Sequence, residues 1–366
     1  MVVRAGSPPA LLRLIPHLLG FMPETSLVVI GVTPPRDRIK ITLRYDLPSP
    51  PEADLVAELA AHAIGVLSAQ RLTAAVAVGY GPEALVTPVA RELREAAWQA
   101  GMDLREVLRV QDGRYWSYTC GDEECCPAEG VPFDAAAADP AEAEALAAVG
   151  DTVLASRAAL AARVAPLGGI AAESMRQATR RAELHIARLL ARVRKSARLG
   201  AARHVIAAEG LAAVGTMIAR YRDGGRFASD DEIARITVAL RDLRVRDDAW
   251  ARMDPAHADA HLRLWIDVVR RAQSRYVAAP AALLAFVAWQ SGEGALANVA
   301  LDRALADDPR YSMATLLRQA ITAGAPPSLA RLPMTPEEVA ASYDDAENLD
   351  HEPDMDDHDP DMDDED

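Results

Sequence analysis

Aromatic residues are scarce: the 366 residues include only 5 Trp, 8 Tyr and 4 Phe. A core built under that restriction rests on Leu, Val, Ile and Ala, which favours close-packed helices. Cysteine is scarcer still, with three residues all lying between positions 120 and 126. That excludes the disulfide framework of a small secreted protein and predicts a cytoplasmic location. The first apolar stretch, Leu11 to Val32, is broken by Arg13, Pro16, His17, Pro23 and Glu24. It falls short of the roughly 18 uninterrupted apolar residues of a membrane span. Lysine occurs only at Lys40 and Lys195, and Arg supplies nearly all of the 39 basic residues. These face 54 acidic ones. With no basic excess, a general steering field for nucleic acid is not expected. No GxxxxGK[ST], HExxH or GxSxG motif is present, so the common phosphate-loop, zincin and serine-hydrolase signatures are absent.

What remains is an apolar half and a charged quarter, the balance of a globular chain. The net charge of -15 is unevenly placed. Residues 344–366 hold 14 acidic side chains and no Lys or Arg, which leaves 40 acidic against 39 basic in the body. The tail duplicates seven residues, Pro353–Asp359 and Pro360–Asp366, with one substitution. Such charge density cannot offset its ordering entropy by burial, so a disordered tail is expected over 344–366.

The order of patterns predicts an α/β (mixed-sheet) N-terminal domain over 1–134. A linker or weak helix at 135–150 follows, then an all-α, partly tetratricopeptide-like domain over 151–343. Leu27–Ile30 is a continuous apolar run suited to a strand buried on both faces, and Ile39, Ile41, Leu43 and Tyr45 alternate with polar residues as in a half-exposed one. A helix is expected from about Glu52 to Gln70, a strand over Ala74–Val78, and a helix from Pro82 to about Ala100. Asp112-Gly113 marks a tight hairpin between Leu104–Val110 and Arg114–Tyr118. Beyond the linker only helices are expected, at about 151–164, 171–199, 201–222, 230–246, 255–274, 280–290, 293–307 and 310–323. Ser229 with Glu232, and Thr335 with Glu338, have capping-box spacing. Ala297, Leu301, Ala304 and Pro309 match the second helix of a tetratricopeptide repeat within a hairpin over 280–309, with Leu in place of the usual aromatic. The two domains are expected to bury separate interiors.

Three stretches resemble one family. The opening run from Ala10-Leu11-Leu12 through Pro16-His17-Leu18-Leu19-Gly20-Phe21-Met22-Pro23-Glu24-Thr25-Ser26 to Val29 is similar to the start of the bacterial proteins grouped as domain of unknown function 4192. So are Gly113-Arg114-Tyr115-Trp116-Ser117-Tyr118-Thr119-Cys120 with Cys125-Cys126-Pro127-Ala128-Glu129-Gly130, and the helical run Ala295–Leu305. The resemblance covers the body but not the acidic tail. It implies a cytoplasmic protein of high-GC Gram-positive bacteria and brings no known activity with it.

Four places have residues suited to chemistry. Cys120, Cys125 and Cys126 can meet across a turn, as structural thiols, a disulfide, a redox site or a shared metal. Zinc would need a fourth ligand, for which His257 and His261 are the histidines one helical turn apart. Asp122, Glu123 and Glu124 should raise the thiol pKa values by like-charge repulsion. No other cofactor is expected. Gly79 and Gly81, in a G-x-G-x-x-A run between strand and helix, suit either a phosphate turn or a plain corner, with Pro82 and Glu83 favouring the corner. Glu24, Thr25 and Ser26 sit before the first strand, where α/β domains hold ligands or simply turn. Arg181, Arg188, Arg192 and Lys195 form a basic helical stripe, suited to solvent, to an acidic partner such as the tail, or to phosphates. The leading expectation is a non-enzymatic adaptor or regulator binding a protein or peptide through its helical domain, with no membrane and no nucleic-acid partner. The alternative is a small-molecule site, possibly for a nucleotide, on the α/β domain, formed by the Phe21–Ser26 loop, the turn after Val78 and the Cys segment.

Overall fold

Ser7 caps helix α1 (Pro8–Leu19) by accepting from the Ala10 N–H, and Gly20 ends it with its N–H on the Pro16 carbonyl. The apolar stretch Leu11–Val32 is therefore not one element: it starts in a helix with Pro16 inside it and ends in a strand. The computed structural model describes residues 7–34, 37–135, 137–138, 140–149, 153–194, 199–225, 228–329 and 334–349. Lys195 and residues 350–366, including the tandem acidic duplication, lie outside them.

Strands β1 (Ser26–Thr33), β2 (Arg38–Asp46), β3 (Ala74–Tyr80), β4 (Asp103–Gln111), β5 (Arg114–Ser117) and β6 (Val131–Pro132) form one sheet in the order β2-β1-β3-β4-β5-β6. Helix α2 (Ala53–Ala69) joins β2 to β3, and α3 (Glu83–Gln99) joins β3 to β4. The β3–β4 pair is parallel and all other pairs are antiparallel. That is the mixed sheet read from the sequence. The Asp-Gly turn forms as expected, with Asp112 and Gly113 both at positive φ (48 and 71).

The helical half comprises α4 (Pro140–Ala147), α5 (Arg157–Ala162), α6 (Gly169–Arg194), α7 (Leu199–Arg222), α8 (Asp230–Ala239), α9 (Leu243–Ala251), α10 (Ala258–Arg271), α11 (Ala278–Gln290), α12 (Gly294–Asp307), α13 (Ser312–Thr322) and α14 (Pro336–Leu349). Both expected capping boxes form: Ser229 with Glu232, and Thr335 with Glu338. The single helix expected over 230–246 is two, because Asp242 accepts from the Arg244 N–H and starts α9 afresh. The acidic segment does not leave the body at 344. Helix α14 continues to Leu349, with Asp344 2.8 Å from Arg244 and the Tyr343 hydroxyl donating to Asp247 at 2.6 Å.

The buried residues divide by the faces of the sheet, not by the halves of the chain. Leu27 and Val29 of β1, Ala75 and Ala77 of β3 and Val107 of β4 pack against α2 and α3. Their neighbours Val28, Ile30, Ala74, Val78 and Leu108 face the other way, into a cluster that includes α1 and continues through α10, α11 and α12. Two-residue alternation thus assigns odd positions of β1 and β3 to one layer and even positions to the other. The expectation of two separate interiors is not met: the second face of the sheet, α1 and the helical half share one buried cluster. Further links fasten the seam. Leu154 pairs with Phe21 in a parallel bridge, Met22 N–H donates to the Leu154 carbonyl at 2.9 Å, and Arg13 of α1 meets Glu142 of α4 at 2.8 Å. Of the two readings of 135–150, linker or weak helix, the helix forms over Pro140–Ala147.

Helix α11 is buried from Ala278 through Trp289. The Ala297, Leu301 and Ala304 spacing does place those residues in the core against it. The hairpin is the centre of the helical layer.

Candidate functional site

Parallel strands end together at a place where the chain must turn away, and open α/β sheets commonly bind ligands there. Here the carboxyl ends of β3 and β4 stop at Tyr80 and Gln111, with the Gly81 N–H donating to the Val110 carbonyl at 2.9 Å. The loop before β1 reaches the same edge, because Ser26 is paired with Tyr80. Helix α1 lies above. Between them is a cleft of about 540 Å³, large enough for a small organic ligand. Its walls include Leu12, Pro16, Met22, Val110, Phe133 and Val153, and Glu24, Thr25, Gln111 and Asp112 add polar groups.

Three features of the lining are costly for a wall that only fills space. Tyr80 is 8% exposed, and its hydroxyl has no hydrogen-bond partner. Burial pushes its pKa well up, so the phenol keeps its proton. Thr25 is β-branched yet sits at φ 42, in the left-handed region such residues avoid. Pro16 has no N–H, so the Leu12 carbonyl loses its usual intrahelical donor on the cleft wall. Opposite these, Gln111 is held in place: it accepts from Arg109 at 3.1 Å and donates to Asp112 at 3.1 Å. Arg109 itself is buried and stacks on the Trp116 ring, 3.6 Å from its centroid.

The residues singled out from the sequence divide between the cleft and the packed interior. Glu24, Thr25 and Gly81 line the cleft together. Ser26 and Gly79 do not. The Ser26 hydroxyl is buried, donating to the Glu24 carbonyl at 2.5 Å and accepting from Arg44 at 2.7 Å. Gly79 is a packing requirement, since a Cβ there would lie 2.3 Å from Val86 of α3. Gly81, at φ 144, adopts backbone that favours glycine. Residues Pro82 to Ala84 are absent from the cleft wall, so the α3 N-terminus makes a corner there. The wall from Val110 to Gly113 and Phe133 was not foreseen; the Asp-Gly hairpin was the only signal pointing at it.

The thiols also converge, but apart from the cleft lining. The sulfurs of Cys120, Cys125 and Cys126 all lie within 4.8 Å of one another, and none is bonded to another. The expected general rise from the neighbouring carboxylates is not what sets these thiols: one shifts up and one down, and neither mainly through Asp122, Glu123 or Glu124. Cys126 is pushed up to about 12, mainly by burial. Cys120 is held below its ordinary value, mainly by a main-chain hydrogen bond at Asp122 with help from Cys126. His257 and His261 do not join the cluster. His257 meets Asp254 at 2.8 Å, and His261 is buried, its pKa lowered to about 4 chiefly by desolvation.

Arg181 pairs with Asp231 of α8 at 2.7 Å, leaving Arg188 and Arg192 exposed, with Lys195 outside the described residues. No helix among the described residues is long and apolar enough to cross a membrane.

Fold and cleft define a class: an α/β protein whose mixed sheet carries helices on both faces, with a cleft at the seam between its two halves. The model of the family described as Domain of unknown function (DUF4192) matches residues 8–328, and the chain belongs to that family. No curated protein and no solved structure matches it.

Proposed function

We propose that this protein binds a small molecule in the cleft between α1, the Met22–Thr25 loop and the ends of β3 and β4. The observation that carries the reading is a cleft of about 540 Å³ at the carboxyl ends of β3 and β4, into whose apolar wall Glu24, Thr25, Gln111 and Asp112 bring polar groups. The Tyr80 hydroxyl is closed to the cleft as well as to solvent, so its cost of about 1–3 kcal/mol belongs to the fold and not to ligand recognition. The strained Thr25 on the same wall supports the reading, because such backbone clusters at ligand sites. The lining favours a ligand with a compact apolar body and a polar end near Glu24, Thr25 and Asp112. Arg13 is already matched by Glu142, so the carboxylates weigh against an anionic head. That argues against a nucleotide phosphate. Docking of a protein or peptide by the helical half loses its main support, since the repeat-like hairpin has its first helix buried throughout.

The test uses N-phenyl-1-naphthylamine, a neutral apolar fluorophore, with the full chain. One saturable site is expected. Ala135→Trp, which places an indole at an exposed position of the cleft wall, should weaken binding by about tenfold or more. Equal affinity in the variant, or no saturable binding, would contradict the proposal.

A further inference from the structure

Away from the cleft, the three cysteines occupy one side of a loop tied down at both ends. The Cys120 N–H donates to the Ser117 hydroxyl at 3.0 Å, and the Cys126 N–H to the Asp122 carbonyl at 2.8 Å. The Asp122 carboxylate is occupied by the Glu124 N–H at 2.9 Å. Beyond the thiols, the Trp116 indole N–H donates to the Ala128 carbonyl at 2.9 Å, and Arg114 to the Gly130 carbonyl at 2.7 Å. A Cβ at Gly130 would lie 2.5 Å from the Trp116 ring, so the return of the loop is fitted closely to strand β5. The main chain therefore brings the sulfurs together with no bond between them.

We propose that Cys120, Cys125 and Cys126 form a three-thiolate zinc site with its fourth position open to water or an incoming ligand. A tetrahedral zinc with Zn–S bonds of about 2.3 Å holds its sulfurs about 3.8 Å apart. The observed limit of 4.8 Å is within side-chain adjustment of that spacing. A disulfide needs about 2.05 Å and consumes two of the three thiols, whereas a metal uses them all. Binding replaces the three thiol protons with the cation, and those protons are released to solvent; no oxidant is required. Asp122, Glu123 and Glu124 in the same loop add a field that draws cations. No histidine or carboxylate among the described residues completes the group, which leaves the open coordination position of a reactive or ligand-exchanging site, unlike a closed structural one.

The full chain, reduced and stripped of metal, is titrated with Co(II) and then with Zn(II). One equivalent of cobalt should give the thiolate charge-transfer band and the visible spectrum of a tetrahedral site, and one equivalent of zinc should abolish both. C120S, C125S and C126S should each weaken cobalt binding by at least about a hundredfold, the upper end of what outer-shell changes alone cost. Circular dichroism checks that each variant is folded, and the wild-type titration stands without them. A purely octahedral cobalt spectrum overturns the proposal. So does stoichiometric binding that survives the loss of two thiols, or closure of a disulfide by the metal-free protein in preference to zinc uptake.

Discussion

Removing one oxygen from the wall of the cleft should make the ligand-free protein more stable. The Tyr80 side chain is 92% buried, by subtraction from its 8% exposure, and its hydroxyl has no partner. The ring packs in the cluster that joins the sheet to the helices, so Tyr80→Phe keeps that contact and removes only the orphaned group. A stranded hydroxyl costs about 1–3 kcal/mol. The oxygen also fills some space, so a gain of about 1 kcal/mol is the expected net result. Spread over a chain of this size, that gain moves the melting temperature by only about 1–2 °C. Urea unfolding followed by far-ultraviolet circular dichroism is therefore the better assay, read from the midpoint at constant slope. Burial keeps the phenol protonated, so the gain should not vary between neutral and mildly alkaline pH. A midpoint that falls would refute the reasoning, because the hydroxyl would then have a partner in solution.

Acidification should weaken the fold through His261, which is 1% exposed. Its pKa of about 4 lies below the ordinary 6.5, because burial, then the Arg222 charge, disfavours the cation. Between those values the unfolded chain binds a proton that the native chain refuses, so stability falls as pH drops through that window. The loss approaches about 3 kcal/mol near pH 4 and should be largely absent in His261→Gln; matching wild-type and variant pH profiles would sink the argument. Gly79→Ala places a Cβ 2.3 Å from Val86, whose Cβ-branched body cannot swing aside, and should cost about 1–3 kcal/mol in urea unfolding. A neutral Gly79→Ala would mean that α3 does not approach β3 as closely as described.

Local features were legible from the sequence where a few adjacent residues set them. Asp112-Gly113 specified its turn, and Ser229 with Glu232 its helix start. Continuous apolar character from Leu27 to Ile30 correctly meant burial on both faces of β1. It did not say which layers would cover them: Val28 and Ile30 turn out to join a cluster shared by α1 and helices far along the chain. Helix α1 was obscured by Pro16, which reads as a break although the helix continues for another turn to Leu19. The cleft was only half visible. Glu24, Thr25 and Gly81 stood out as loop residues, whereas Tyr80 looked like an ordinary strand end. Its significance depends on the absence of a partner, which is a property of the fold. The convergence of the three sulfurs was readable as reach across a turn, but Trp116 and Gly130 fasten that turn from a neighbouring strand.

The most direct test of the shared core is the fate of residues 1–134 expressed alone. If that face of the sheet is covered by α1 and the helical half together, this fragment keeps only α1 and leaves part of the Val28, Ile30, Val78 and Leu108 layer to water. Its proton–nitrogen NMR spectrum should be poorly dispersed and its urea transition shallow. A well-dispersed spectrum with a cooperative transition would show that the sheet folds without its helical cover, contradicting the continuous interior on which the cleft depends.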